Sequence, residues 1–272
     1  MTSNNGWATD GKVQRLRDQG FLKLEPTEAG IPPALITAAE SYARALPPPK
    51  LKQNGWGEYP TDDPRARDTS ILDLMTGDLK LGIDRILGTH GSRFQYDPQI
   101  AYQTVQGNRV ARGPEYHLDG FYPVTDPYRP MSLLVGILLH DVEPHGGCFS
   151  FYPRNHIDIR DQMNASLTQS RRATLENIWK TWGDRTGAMS ATGVAGTVFI
   201  LSPLTIHGTL ENTTNETRIM VFFRVRHPDL PDTVCDDHEI IGDPYPGSAG
   251  VAGRIDRQTL QDRTGVRTSA SR

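Results

Sequence analysis

The segment Tyr116-His117-Leu118-Asp119-Gly120 holds a histidine and a carboxylate separated by one residue. In a β-strand, residues two apart point to the same face, so His117 and Asp119 would project together. An imidazole beside a carboxylate supplies two ligands of the 2-His-1-carboxylate triad, which binds Fe(II) on one face and leaves other positions open. A His-x-Asp pair is common by chance, so it needs a third ligand before it predicts a metal site.

A third ligand is offered by His207, which follows the apolar run 197–201 and precedes a turn rich in Asn and Thr. Arg218 then opens another apolar run. If residues 208–217 form a hairpin loop, His207 and Arg218 lie on adjacent strands near the same end. The sequence therefore predicts a metal site beside an arginine.

An arginine in an otherwise apolar strand needs a partner, because leaving a buried charge unpaired costs several kcal/mol. A guanidinium binds a carboxylate through two parallel hydrogen bonds, so an anionic cosubstrate is one candidate partner for Arg218. The alternative is a surface ion pair with Glu211 or Glu216, which would contribute little stability. Arg224 and Arg226 share the strand parity of Arg218, and we expect them to be exposed or to contact an acidic substrate.

Other histidines offer a competing metal cluster. His140 and Asp141 end a long apolar strand, and His145 and His156 follow within sixteen residues of His140. Because Glu143-Pro144-His145-Gly146 has the composition of an exposed turn, this cluster is the less favoured site.

Composition excludes several classes of protein. The chain has 272 residues, a net charge of -3 and a pI near 6.2, so it lacks the basic patch expected for nucleic-acid binding. Two distant cysteines, Cys148 and Cys235, make neither a disulfide framework nor a zinc site. The N-terminus does not resemble a signal peptide, and no apolar run is long enough to span a membrane. We expect a cytoplasmic protein; the oligomeric state is not predicted.

The elements that would position these residues are mainly short strands. Helices are predicted at 9–19, 32–46 and 165–182. Strands are predicted at 20–24, 98–105, 115–119, 131–141, 147–152, 196–201 and 218–226. The stretch 47–70 contains too many helix and strand breakers for regular structure and is expected to be a lid or surface loop. Many short strands with few helices favour a β-sandwich or barrel over a parallel α/β sheet.

These motifs resemble those of the phytanoyl-CoA dioxygenase family. The shared order is His-x-Asp, about ninety residues, His-Gly-Thr, and an arginine eleven residues after that histidine, and the resemblance runs from Gly20 to Arg226. Residues 146–156 resemble the family's Asn-Gly-x-Leu-x-x-x-Pro-Gly-Ser-His stretch, with Arg154 and Asn155 where the family usually has Gly and Ser or Thr. The resemblance implies a mainly β fold with flanking helices around a double-stranded β-helix (jelly-roll, cupin-like) core. We expect one domain at 1–245, with a helical part at 1–95, the core at 96–228 and a flexible tail at 246–272.

The resemblance also implies a function and roles for single residues. It implies a non-haem Fe(II) dioxygenase that uses 2-oxoglutarate and O2, releases succinate and CO2, and hydroxylates or otherwise oxidises a small molecule, as in secondary metabolism. His117, Asp119 and His207 would be the iron ligands. Arg218 would pair with the distal carboxylate of 2-oxoglutarate, helped by Thr209, and Gln103 is a further candidate for contacting this cosubstrate.

Several questions stay open at this point. The carboxylate ligand is present, which favours oxygen chemistry over the halogenation performed by relatives with Ala or Gly there. Hydroxylation is not separated from desaturation, epimerisation or ring formation. A cupin-like metalloprotein without 2-oxoglutarate and a non-catalytic jelly-roll binding protein remain alternatives. We expect substrate selectivity to reside in the stretches 47–70 and 120–130, because loops on a rigid scaffold usually carry it.

Overall fold

The chain folds around two antiparallel β-sheets. The computed structural model describes residues 6–89, 94–105, 116–119, 131–165 and 187–228. Within them, the larger sheet has the strand order β1-β7-β4-β9-β3-β2 and the smaller sheet the order β6-β5-β8. The strands are β1 (Phe21–Leu24), β2 (Trp56–Tyr59), β3 (Gln95–Gln103), β4 (Leu133–Leu138), β5 (Phe149–Phe151), β6 (Met189–Ala191), β7 (Val198–Leu201), β8 (His207–Thr209) and β9 (Arg218–Arg226).

Most helices lie in the first third of the chain, and the first of them has regular capping residues at both ends. The first one starts after Thr9, whose side chain accepts a hydrogen bond from the backbone of Lys12, and ends at Gly20, whose φ of 77° suits glycine. The helices are α1 (Asp10–Gln19), α2 (Pro26–Ala29), α3 (Pro33–Ala45), α4 (Thr69–Leu72), α5 (Gly77–Leu87) and α6 (Asn155–Ala165), with a 3-10 helix at Pro64–Arg67.

Strand β9 shows how the two faces of the large sheet are used. Its alternate residues Ile219, Val221, Phe223 and Val225 pack in one core with the helices. Met220 and Phe222 point the other way and pack with Phe149 and Phe151 of the small sheet. Since side chains alternate along a strand, Arg218 and Arg224 also belong to the face between the sheets. The interior of the β-sandwich therefore receives both arginines.

The predicted fold class is confirmed, and most predicted elements are found with shorter bounds. The stretch 47–70 was wrongly predicted to lack regular structure: β2 pairs with β3 as the edge strand of the large sheet, and the 3-10 helix and the start of α4 follow. Edge strands tolerate neighbouring prolines because one side of the strand needs no partner. Helix α5 was not predicted from the sequence.

The predicted hairpin between His207 and Arg218 is wrong. Strand β8 pairs with β5 in the small sheet, whereas β9 lies between β4 and β3 in the large sheet. The chain thus crosses from one sheet to the other between these residues, so His207 and Arg218 approach the interior from opposite sides. Almost all of the predicted helix 165–182, the loop 120–130 and the tail 246–272 lie outside the described residues. The single domain at 1–245 stays a prediction.

Two further expectations concern the cysteines and membrane-spanning segments. Cys148 is buried and carries a free thiol. In the part of the chain that the structure describes, we find no helix with the length and apolarity needed to cross a membrane.

Candidate metal centre

His117, Asp119 and His207 meet between the two sheets. The backbones of His117 and His207 form an antiparallel bridge, with N–H···O distances of 2.8 and 3.0 Å in the two directions. His207 opens β8, which is held to β5 through Phe151. The predicted strand 115–119 is wrong for the described residues, since only His117 makes a β-bridge and Asp119 lies in a turn. The Asp119 carboxylate nevertheless faces both imidazoles. Two sequence segments about ninety residues apart are thereby joined at the site.

The potential ligand atoms of these three residues all lie within 4.8 Å of one another. Asp119 Oδ1 is 3.3 Å from His117 Nε2 and 3.7 Å from His207 Nε2. Ligand atoms bound at about 2 Å to one ion are about 3 Å apart when their bonds are perpendicular and about 4 Å apart when the bonds are opposite. The spacing and the chemistry of this donor set therefore fit one divalent ion.

His207 is held in the orientation that a metal ligand needs. Its Nδ1 lies 2.9 Å from the carbonyl oxygen of Thr205, to which it donates, and this directs Nε2 towards Asp119. Burial lowers the pKa of His207, although Asp119 opposes the shift. The imidazole is therefore neutral at neutral pH, which leaves Nε2 free to bind a metal.

Arg224 is the part of this centre that the sequence did not reveal. Its Nη2 lies 2.8 Å from Asp119 Oδ2, the carboxylate oxygen that is not facing the histidines. Burial opposes ionisation of Asp119, but Arg224 and the two histidines outweigh it, so the pKa of Asp119 lies well below its usual range. Arg224 is therefore neither simply exposed nor reserved for an acidic substrate. Its parity on β9 placed it on the correct face, but no local pattern pointed to Asp119.

Arg218 is fully buried at the opposite end of the same strand. Its Nε donates to the carbonyl oxygen of Gly147 at 2.9 Å, and its guanidinium carbon lies 5.5 Å from the centre of the Trp56 ring. Nη1 and Nη2 are buried and have no hydrogen-bond partner among the described residues. Burial lowers the pKa of Arg218 from 12.5 to about 9. The surface pairing with Glu216 is wrong, because Glu216 pairs with Arg44 at 2.5 Å.

The two remaining predicted residues are Gln103 and Thr209. Gln103 is directly opposite Arg218 in the β3–β9 register. It is buried, its Nε2 donates to Asn54 O at 2.7 Å, and its Oε1 has no hydrogen-bond partner in the described structure. Thr209 ends β8 and is half-buried. The roles of Gln103 and Thr209 in binding the cosubstrate therefore stay predictions.

The competing histidine cluster does not form. His140 Nε2 accepts a hydrogen bond from the backbone of Ile219, and His156 Nε2 donates to Arg17 O at 2.7 Å. Across the described ranges, His117, Asp119 and His207 are the one group of three side chains spaced to hold a metal ion.

A cavity of about 900 Å³ opens onto the three residues. Leu134, Phe149 and Phe222 give it an apolar side, and Thr209 also lines it. Its polar lining comes largely from β2, β3 and the chain around them: Lys52, Asn54, Glu58, Asp62, Arg67, Asp97 and Gln99. Arg218 is not among the described lining residues, but its guanidinium lies over the ring of Trp56, which does line the cavity.

A jelly-roll that holds two histidines and one carboxylate between its sheets, beside a buried arginine, defines the class of non-haem metal oxygenases. Residues 75–220, more than half of the chain, match the phytanoyl-CoA dioxygenase (PhyH) family. The chain belongs to this family. None of the curated proteins matches the sequence significantly.

Solved structures of similar fold agree with this assignment. HygX from Streptomyces hygroscopicus, solved with nickel and 2-oxoglutarate, has 13% identity and a TM-score of 0.57, covering 82% of this chain and 89% of its own. The 2-oxoglutarate-dependent carbocyclase SnoK of nogalamycin biosynthesis has 16% identity and a TM-score of 0.56, covering 80% and 84%. EctD from S. alaskensis has 17% identity and a TM-score of 0.56, covering 82% and 79%. At such identities the similarity establishes the fold.

The family assignment confirms the predicted activity. The protein is an Fe(II)- and 2-oxoglutarate-dependent dioxygenase, with O2 as the oxidant, rather than a cupin-like metalloprotein without cosubstrate or a non-catalytic binding protein. The clustered side chains of His117, Asp119 and His207 fit the metal, and the Arg218 nitrogens that have no partner among the described residues fit the dicarboxylate.

Proposed function

We propose that His117, Asp119 and His207 hold the iron, that Arg218 binds the distal carboxylate of 2-oxoglutarate, and that the enzyme hydroxylates or otherwise oxidises a small polar molecule of secondary metabolism. The observation that carries the proposal is the buried Arg218, whose two terminal nitrogens lack partners in the described structure. A carboxylate would satisfy both nitrogens at once.

Each residue would have a separate task. The metal, when bound together with 2-oxoglutarate and O2, supplies the oxidising power. The two imidazoles and Asp119 hold it on one face. Arg218 fixes the far end of the cosubstrate and Thr209 can donate a hydroxyl hydrogen bond to the same carboxylate. Phe149, Phe222 and Leu134 exclude water from the apolar side of the cavity.

The polar side of the cavity supports the substrate class. Glu58 accepts hydrogen bonds from Trp56 Nε1 and Gln99 Nε2, and Arg67 pairs with Asp97 at 2.8 Å. Such a wall suits a substrate that carries hydroxyl or amino groups away from the oxidised carbon. HygX has been solved with hygromycin B bound and EctD with 5-hydroxyectoine, both small molecules. The proposal that the stretch 47–70 carries selectivity is supported by Lys52, Glu58 and Arg67, which line the cavity.

An anaerobic titration tests the site without knowledge of the substrate. Fe(II) and 2-oxoglutarate are added to the purified protein, and the weak visible charge-transfer band of the chelate is followed. We expect the band in the native protein and not in His207→Ala. Removing one partner of a buried charge pair costs about 2–5 kcal/mol, so Arg218→Ala should need at least about 30-fold more 2-oxoglutarate.

Exposed charges provide the matched control. Arg160→Ala removes an exposed arginine on α6 that pairs with Asp161, and it should leave the titration unchanged. A band that forms equally well in Arg218→Ala would refute the cosubstrate clamp. Metal binding that survives intact in His207→Ala would refute the ligand set. Products from a panel of hydroxyl- and amino-bearing compounds then identify the reaction, whether hydroxylation, desaturation, epimerisation or ring formation.

A further inference from the structure

The two carboxylate oxygens of Asp119 have different surroundings. Oδ1 faces the Nε2 atoms of His117 and His207, at 3.3 and 3.7 Å. Oδ2 faces away from them and lies 2.8 Å from Arg224 Nη2. A charge-assisted hydrogen bond of this length is among the stronger interactions a carboxylate makes. The pair therefore fixes which oxygen is presented to the metal site.

Arg224 is available for this contact because its neighbour on the sheet is already paired. Asp97 lies directly opposite Arg224 in the β3–β9 register, but its Oδ1 accepts a hydrogen bond from Arg67 Nη2 at 2.8 Å. On the other side of β9, Arg224 is opposite Leu134, which has no charge. Among these neighbours, Asp119 is the acid left for Arg224 to bind.

Arg224 also has a different position from the cosubstrate arginine. Six residues separate it from Arg218, which is about 20 Å along an extended strand. One carboxylate group cannot engage both side chains from those two positions. The same face of β9 thus presents one arginine to the Asp119 carboxylate and another to the ring of Trp56.

We propose that Arg224 is a positioning residue that holds Asp119 so that Oδ1 alone binds the metal. This inference rests on the proposed ligand set. His207 is oriented by its hydrogen bond to Thr205 O and His117 by its backbone bridge to His207. Arg224 fixes the orientation of the Asp119 carboxylate, as these contacts fix the positions of the two histidines. With Oδ2 occupied, the carboxylate takes one coordination position and leaves the others for 2-oxoglutarate and oxygen.

The direction of the change in metal affinity separates positioning from simple electrostatics. If Arg224 acted only through its charge, its removal would favour a divalent cation and tighten binding. If it positions Asp119, its removal should weaken binding, and loss of an outer partner of a metal ligand typically costs about 10–100-fold in affinity. The two roles therefore predict opposite signs.

The experiment is a titration of the metal-free protein with Mn(II), measured by calorimetry without substrate or oxygen. We expect Arg224→Gln to weaken Mn(II) binding about 10–100-fold, and Arg224→Lys, which keeps the charge but not the planar fork, to lie between Gln and native. Arg160→Gln removes a positive charge from an exposed arginine on α6 that pairs with Asp161 and should bind Mn(II) as the native protein does. Circular dichroism verifies that each variant is folded.

Each result decides the matter. Mn(II) affinity in Arg224→Gln that is equal to or tighter than native overturns the positioning role. A variant that binds Mn(II) normally but needs more 2-oxoglutarate would assign Arg224 to the cosubstrate and also overturn it. If His207→Ala binds Mn(II) as tightly as the native protein, the ligand set itself is wrong and both proposals fail. Loss in His207→Ala without loss in Arg224→Gln refutes only the role of Arg224.

Discussion

Replacing Arg218 by methionine should stabilise the protein when 2-oxoglutarate is absent. Burial lowers the pKa of Arg218 from 12.5 to about 9, and at about 1.4 kcal/mol per pKa unit the buried charge destabilises the folded state by about 5 kcal/mol. The unfolded chain binds this proton more tightly, so the destabilisation is complete below pH 9 and declines between about pH 9 and 12.5. At pH 7.5 it is fully present.

Contacts that Arg218 makes offset part of this effect. Loss of its hydrogen bond to Gly147 O costs about 2–3 kcal/mol, and loss of its contact with the Trp56 ring costs about 1 kcal/mol. Arg218→Met, with an unbranched apolar side chain, should therefore raise the free energy of unfolding by about 1–2 kcal/mol. At about 2–4 °C per kcal/mol, the melting temperature should rise by about 2–8 °C.

The order of stability should reverse when cosubstrate is added. With Mn(II) present, 2-oxoglutarate at 100 times its dissociation constant stabilises the native protein by about 2.7 kcal/mol, whereas Arg218→Met should gain little. Urea unfolding at pH 7.5 with and without 2-oxoglutarate measures both quantities, and Arg160→Met, at an exposed site, should keep the native response. If Arg218→Met is the less stable protein without 2-oxoglutarate, the guanidinium has a partner in the folded chain and the reasoning fails.

Three further predictions concern single residues. Thr209→Val keeps the shape of the side chain but removes the hydroxyl, so the 2-oxoglutarate needed for the charge-transfer band should rise about 2–10-fold; an unchanged requirement removes Thr209 from the cosubstrate site. Arg154 has a φ of 66° and an exposed side chain, so Arg154→Gly should raise the free energy of unfolding in urea by about 1 kcal/mol, and a loss of stability would contradict this. Burial lowers the pKa of His156, so stability should be lost as the pH falls below 6.5 and through the lower folded-state pKa. His156→Gln should reduce the difference between urea midpoints at pH 7.5 and 5.5, and an unchanged difference would assign the acid sensitivity to other groups.

The site residues were accessible from sequence because each belongs to a short local pattern. His117 and Asp119 are two apart, and His207 follows an apolar strand, but these patterns alone predict a metal site only weakly. The resemblance to the phytanoyl-CoA dioxygenase family, through the order His-x-Asp, His-Gly-Thr and Arg, grouped the three residues as ligands. Arg154 is a similar case: the family motif has glycine at this position, and the left-handed backbone of Arg154 gives the physical reason.

The path of the chain from one sheet to the other was harder to predict from the sequence. The sequence from His207 to Arg218 has the turn residues of a hairpin, yet β8 and β9 belong to different sheets. Local composition fixes where a turn occurs but not which sheet the next strand joins, since that depends on the cores on both faces of β9. For the same reason β2 was not predicted, since it pairs with residues of β3 that lie more than forty positions away in the sequence.

Arg218 and Arg224 illustrate both what strand parity predicts and what it leaves undetermined. They lie on one strand with the same parity, and both are charges on a face that also carries Met220 and Phe222. Parity predicts that each needs a partner inside the sandwich, but only the register identifies it. Asp97 is opposite Arg224 and would be the obvious partner, yet Arg67 pairs with it and leaves Arg224 to Asp119. Because Arg67 lies in the stretch 47–70, the orientation of the Asp119 carboxylate depends on a segment that also lines the cavity. Substitutions at Arg67 should therefore alter metal affinity through Asp97 and Arg224, even though Arg67 does not contact Asp119.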